Sequence, residues 1–295
     1  MRRSFVYLLL RKGSPLAATL VIVSIGGLLA FLAVNGIPTL GTEFFFGDTP
    51  AWEAIFGQQP VWDGLWPALT GSLCLVGLTI CLAVFPGVGC GIYLAEYASP
   101  RVASVMGAAV DMLAGTPSIV MGLFGFTLIL FLRHSFMPEA NTCLLLAAGC
   151  LALLVLPVLI VNTREALGAV SRDLTITGTA LGFTREQNLL YVQLPAAAQG
   201  IGSGIVLALG RAVEDTAVIM LTGVVANAGL PAGLGAKFEA LPFYIFYIAA
   251  QYQNQDELMR GFGASLTLLV LASGLIALAH LLEAGYSRRW RGNIR

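Results

Sequence analysis

Few residues in this chain could do chemistry, and the most pointed group is Gly210-Arg211-Ala212-Val213-Glu214-Asp215-Thr216, set inside an apolar stretch. On a helix Arg211 and Asp215 lie about one turn apart, with Glu214 close by, so all three can share a face. A lone charge at the centre of a bilayer costs at least ~2.5–3.5 kcal/mol, so such groups face a bundle interior and pair. The group reads in two ways: an ion pair fixing one helix against its neighbours, or an element of a transport path or gate. Arg211 is the only basic residue deep in a span and is therefore the candidate to meet an anion. Two acids beside it oppose a free phosphate-like substrate unless one is protonated, or unless they hold Arg211 only while the path is empty. A second group, Gly115-Thr116-Pro117-Ser118, cuts another apolar stretch. Proline opening a half-helix leaves free amides at that N-terminus, a natural place for an anion.

The third group lies between two apolar stretches. Residues 163–196 are polar and charged, yet apolar residues recur there at helical spacing, Gly182 interrupts them, and Leu194-Pro195 closes the segment. The pattern predicts two short amphipathic helices with a flexible joint, a surface that docks a partner. Other chemistry is thin. Cys74, Cys81, Cys90, Cys143 and Cys150 sit in apolar stretches without CxxC spacing and read as packed thiols. His280 reads as a packing residue, and no HExxH, Ser-His-Asp or paired-carboxylate arrangement stands out. Neither lysine, Lys12 or Lys237, ends a P-loop, so any nucleotide hydrolysis that drives this chain must come from another polypeptide.

What positions these groups is a membrane. The 295 residues are 57% apolar and 11% charged, far from the roughly one-quarter charged composition of soluble domains. Six stretches, near 15–37, 67–95, 106–132, 141–162, 197–227 and 261–284, reach the roughly 20 apolar residues a spanning helix needs. The first follows Arg2, Arg3, Arg11 and Lys12 but shows no small-residue cleavage site, so it reads as a retained anchor. One set of connections and termini holds twelve basic residues, among them Arg101, Arg164, Arg172 and Arg185, while the opposite set holds Arg133, Lys237 and Arg260. That bias puts both termini and the 163–196 segment in the cytoplasm. Gly87, Gly89 and Gly91 suit close helix packing. Residues 228–258 fit either a re-entrant hairpin or a surface loop.

With these residues on the page, a resemblance can be stated. Gly178-Thr179-Ala180-Leu181-Gly182-Phe183-Thr184-Arg185, followed by Leu194-Pro195-Ala196-Ala197, resembles the EAA loop of ABC importer permeases, with Gly182 and Leu194-Pro195 at the family spacing. Gly91-Ile92-Tyr93-Leu94-Ala95-Glu96-Tyr97-Ala98, Leu113-Ala114-Gly115-Thr116-Pro117-Ser118 with Gly122-Leu123-Phe124-Gly125, and Arg211–Ala217 are similar to stretches of the phosphate-specific (Pst) permeases. Leu241-Pro242-Phe243-Tyr244-Ile245 and the chain length resemble the PstA-type subunit. Two departures stand out: Ile176 occupies the place of the loop's first glutamate, and Glu214-Asp215 replace a Gly-Glu pair.

The resemblance implies an all-α integral membrane protein with six transmembrane helices and the type I (MetI-like) importer architecture. It divides the chain into an N-terminal anchor and external loop (1–66), a permease core (67–285) with coupling loop 163–196, and a basic tail (286–295). Thr179, Ala180, Leu181, Gly182, Phe183, Leu194 and Pro195 would couple to the ATPase. Arg211, Glu214, Asp215, Thr216, Thr116, Pro117 and Ser118 would line the substrate path or gate. This subunit would break no bond and hold no cofactor, ATP and magnesium sitting on a partner. Expected partners are a related permease in a heterodimer, two ATP-binding subunits, an external phosphate-binding protein and membrane lipid, with no nucleic acid. The substrate reads as inorganic phosphate, with another oxyanion or polar solute as the alternative. A channel or secondary carrier that needs no ATPase is the reading from a different class.

Overall fold

The computed structural model describes residues 2–292. Helices make up the named elements: α1 (Arg2–Gly36), α2 (Thr42–Phe46), α3 (Ala51–Ile55), α4 (Trp66–Ile92), α5 (Pro100–Ala114), α6 (Ser118–Ser135), α7 (Leu144–Gly168), α8 (Arg172–Ala180), α9 (Arg185–Asn188), α10 (Leu194–Glu214), α11 (Ala217–Thr222), α12 (Leu241–Gln251) and α13 (Gln255–Gly292). Six stretches are long and apolar enough to cross a membrane: Gly13–Thr39, Trp66–Tyr97, Ser118–Ser135, Leu144–Gly168, Arg185–Glu214 and Gln255–Gly285. Residues 293–295 of the expected basic tail lie outside the described residues, and 286–292 continue α13.

The axis of the bundle is α7, the most buried of the six spans, packed along α4 on one side and α10 on the other. Small residues let these backbones approach. A Cβ at Gly87 or Gly91 of α4 would strike Leu159 or Thr163 of α7, and one at Gly200 or Gly204 of α10 would strike Ala166 or Asn162. Each flank of α7 is thus met by a Gly-x-x-x-Gly ridge. Gly89, the third glycine of the α4 cluster, faces open space and contributes no such contact. On the outer side, α13 packs against α1, α10 and α12.

Two expected spans come out differently. The third does not run from 106 to 132: α5 ends at Gly115, the chain turns through Thr116-Pro117, and only α6 is long and apolar enough to cross. The fifth starts earlier and stops sooner. Leu194-Pro195 does not close the polar segment, because a π-helical turn at Leu189–Gln193 carries the helix straight into α10. Pro195 has no N–H for the usual bond to the preceding turn, and the widened turn absorbs that loss. At the other end Asp215 turns to extended backbone (ψ 114°), so the helix stops at Glu214 rather than 227. The 228–258 region resolves into a loop whose Val224 bridges Phe238, followed by the short apolar helix α12, which packs on α13 and α4.

Candidate functional site

The residues of the polar segment form two short helices with a glycine joint. α8 ends in a left-handed residue, Gly182 (φ +85°). The Phe183 amide donates to Gly178 O (3.1 Å) and the Gly182 amide to Thr179 O (3.0 Å), the paired bonds of a Schellman ending. A non-glycine residue there would be strained. α9 begins at once with a reciprocal capping box: Gln187 N–H donates to Thr184 Oγ1 (3.3 Å) and Thr184 N–H to Gln187 Oε1 (2.9 Å). Asn188, buried, donates from Nδ2 to Thr175 O at 2.9 Å and so ties the two helices together. Its Oδ1 lies against Gly178, where any Cβ would collide with it. The Asn188–Gly178 contact has no signal in the sequence, since no linear pattern shows that a side chain ten residues away fills a glycine's space. The pair and the π-helical turn after it leave Leu174, Ile176, Leu181, Leu190 and Tyr191 exposed.

The charged group is arranged differently from the sequence expectation. Arg211 and Glu214 are exposed on the last turn of α10, in line with exposed Leu207. Neither acid forms an ion pair with Arg211 among the described residues. Asp215 has left the helix, and its Oδ1 accepts from the Val218 amide at 2.9 Å, capping α11. The expected shared face therefore breaks at residue 215. The Thr116 hydroxyl donates to the Met112 and Leu113 carbonyls at the end of α5, and Pro117 forms the extended N-cap of α6.

Packing brings the two breaks together. Gly122 of α6 abuts Ala217 and Val218 of α11, and Gly125 abuts Thr222. Both numbers rise together, so α6 and α11 run in the same direction. Gly122 is four residues past the start of α6 while Ala217 opens α11, so the Asp215–Thr216 break lies about one turn further along this shared direction than the Thr116–Ser118 break. Leu194 and Pro195, preceded by the α8–α9 pair, lie at the other end of α10. From Leu194 to Arg211 that helix is about 25 Å long at 1.5 Å per residue, a continuous rod from the helix pair to the charged group.

Two cavities went unforeseen. One, about 370 Å³, lies at the end of the molecule that carries the 223–240 loop and includes Asp63, Glu239, Glu257, Arg260 and Tyr244 in its lining. Its acids outnumber its one arginine, which disfavours a free anion. Glu239 is buried and accepts from the Gly229 amide at 2.9 Å. Desolvation pushes its carboxyl up from the ordinary value, against the pull of backbone bonds from Gly229 and Ala228. The other, about 280 Å³, lies between α5 and α7, and Asp111 and Arg164 are among its lining residues. Elsewhere, His280 is exposed rather than packed, 3.3 Å from Glu283, which also accepts from Ser203 of α10.

Comparison with known proteins gives a consistent set of relatives. The family model described as "Binding-protein-dependent transport system inner membrane component" matches residues 87–292. The "Phosphate transport system permease protein PstA 1" of Mycobacterium tuberculosis is 33% identical over 229 residues, 77% of this chain and 72% of that protein. The PstA protein of Haemophilus influenzae is 31% identical over 246 residues, 83% of this chain and 82% of that one. A "Probable ABC transporter permease protein YqgI" of Bacillus subtilis is 26% identical over 279 residues, 89% and 90% of the two chains. Among solved structures, an inward-facing MetNI methionine ABC transporter chain superposes with a TM-score of 0.54 at 16% identity, covering 82% of this chain and 99% of that one. That likeness concerns the fold alone.

Proposed function

Because this chain belongs to the family of binding-protein-dependent transport system inner membrane components, the multi-pass membrane subunits of ABC importers whose ATPase is a separate chain, we propose that it carries inorganic phosphate inward. The observation that carries the substrate is the run of PstA-named relatives at about 30% identity over most of the chain. The sequence alternative of a stand-alone channel or secondary carrier gives way to the family assignment.

In this reading the chain pairs with a related permease, one of two ATP-binding subunits seats on the paired helices α8 and α9, and an external phosphate-binding protein delivers substrate. Both termini are cytoplasmic, following the bias of basic residues. ATP and magnesium sit on the ATPase. The exposed apolar residues Leu174, Ile176 and Leu181 enter its cleft, and Gly182 fixes the turn that presents them. Closing of the ATPase dimer pulls this pair, α10 transmits the displacement as a rod, and the two neighbouring breaks move. Arg211, unpaired with its neighbouring acids, attracts the anion as it passes the α6 start at Thr116–Ser118. Asp215 and Thr216 hold the neighbouring α11 start, and Glu214 keeps the anion's stay short by opposing charge.

The test is phosphate uptake by the complex reconstituted in proteoliposomes with its ATPase and binding protein. Wild type takes up radiolabelled phosphate on addition of ATP, while Arg211→Ala assembles normally but loses uptake. Uptake of a different solute only would overturn the phosphate reading. Normal uptake by Arg211→Ala would return the charged group to a packing role.

A further inference from the structure

We infer that Asp111 is a positioning residue for the gate: together with Arg164 it forms an ion pair made and broken during the transport cycle, linking the coupling segment to the Gly115–Pro117 break. The inference rests on the importer reading above.

Asp111 lies on α5 four residues before Gly115, at about 16 Å along the helix from Pro100. Its carboxylate is exposed and lines a cavity shared with α7. The cation on the opposing helix is Arg164 of α7. Arg164 Nη1 reaches α5 beside Gly107, 3.9 Å from where a Cβ there would stand. Gly107 and Asp111 are one turn apart on the same face of α5. The guanidinium therefore rests one turn on the cytoplasmic side of the carboxylate. The two form no ion pair in this conformation. Between them lies the cavity of about 280 Å³, which has room for several waters. Leu94, Val110 and Ile160 form its apolar floor, and Glu165 is the other charged residue in its lining.

The position of the pair in the chain gives it a mechanical meaning. Arg164 is four residues from the end of α7, and α8 of the docking surface begins at Arg172. Asp111 is four residues from the break that starts α6. A displacement of α7 along α5 by about one helical turn would bring the guanidinium level with the carboxylate, expel the water and join the two charges. In a drained, low-dielectric site that attraction is much stronger than in water. Draining without pairing would leave two bare charges. The pair therefore favours two discrete arrangements over intermediate ones, and it ties the break to the coupling loop by a second route besides α10.

The experiment compares Asp111→Asn, Arg164→Gln and the exchanged pair Asp111→Arg/Arg164→Asp in the reconstituted complex. Two rates are read: phosphate uptake, and ATP hydrolysis with and without the binding protein. Each single variant is expected to lower uptake per ATP at least tenfold while basal hydrolysis persists. The exchanged pair is expected to recover most of the ratio. Three results overturn the inference: single variants with a ratio within twofold of wild type, an assembled exchanged pair with no recovery, or single variants that fail to assemble, which would make the pair a static support. If wild type moves no phosphate, the substrate reading fails by itself. Stimulation of hydrolysis by the binding protein then decides the pair by the same comparison.

Discussion

The Arg185 guanidinium lies over the ring of Tyr97, with its Cζ 4.8 Å from the ring centre. Tyr97 ends the π-helical turn that follows α4, and Arg185 opens α9 of the docking pair. The contact fastens the coupling loop to a second membrane helix. At a site this exposed a cation–π contact is worth about 0.5–1 kcal/mol. Arg185→Gln and Tyr97→Leu should each reduce ATP-driven uptake two- to fivefold, and the double variant should do no worse than either. A double-mutant cycle on complex stability reads this directly. Additive losses would mean that the two side chains act separately.

Asn188 and Gly178 give a sharper prediction. Asn188→Ala removes the only side chain bonding Thr175 O across the two helices among the described contacts, at an expected cost of about 1–3 kcal/mol. Gly178→Ala forces a Cβ into the Asn188 side chain and should weaken co-purification of the ATPase. Combining Gly178→Ala with Asn188→Ala removes the collision, so the double variant should retain more ATPase than Gly178→Ala alone. A pull-down of the ATPase from detergent extract ranks the three.

Asp215 acts as a cap in this conformation. Replacing it by Ala should destabilise α11 by about 0.5–2 kcal/mol, whereas Asn, which can also accept from the Val218 amide, should cost much less. Hydrogen exchange at the 217–222 amides separates the two variants. Equal protection in both would show that the bond contributes nothing.

Glu239 predicts a pH dependence. Its carboxyl titrates above the ordinary range because burial penalises the charged form. A folded-state value raised above the unfolded one contributes stability that is fully present below the unfolded value and is lost as pH rises through the folded value. The complex should therefore melt lower as pH climbs from the usual carboxylate range through the raised value. Glu239→Gln keeps an acceptor for Gly229 and should flatten that slope. Melting curves across pH for both proteins, with the slope unchanged by the variant as the adverse result, make the test.

The coupling loop and the broken third span were legible in the sequence because each has a local cause. Gly182 permits a left-handed joint, Thr184 and Gln187 stand at capping-box spacing, and Pro117 cannot continue α5. The Arg211 group was legible as intramembrane charge but not as geometry. Helical spacing placed Asp215 on the face of Arg211, whereas the carboxylate is drawn away to cap the next turn. Leu194-Pro195 likewise read as a stop, and a widened turn carries the helix through it.

The sequence by itself determined that this chain is a multi-span membrane protein with a polar segment between two spans and no P-loop, because hydropathy, charge bias and motif spacing are summed along the chain. Only the tertiary structure decided what meets what. It set α6 and α11 in parallel, filled the space of Gly178 with Asn188, and placed Arg164 beside Gly107 one turn from Asp111. Each of these is a contact between distant residues at a glycine, and a glycine acquires a particular neighbour only when the helices pack.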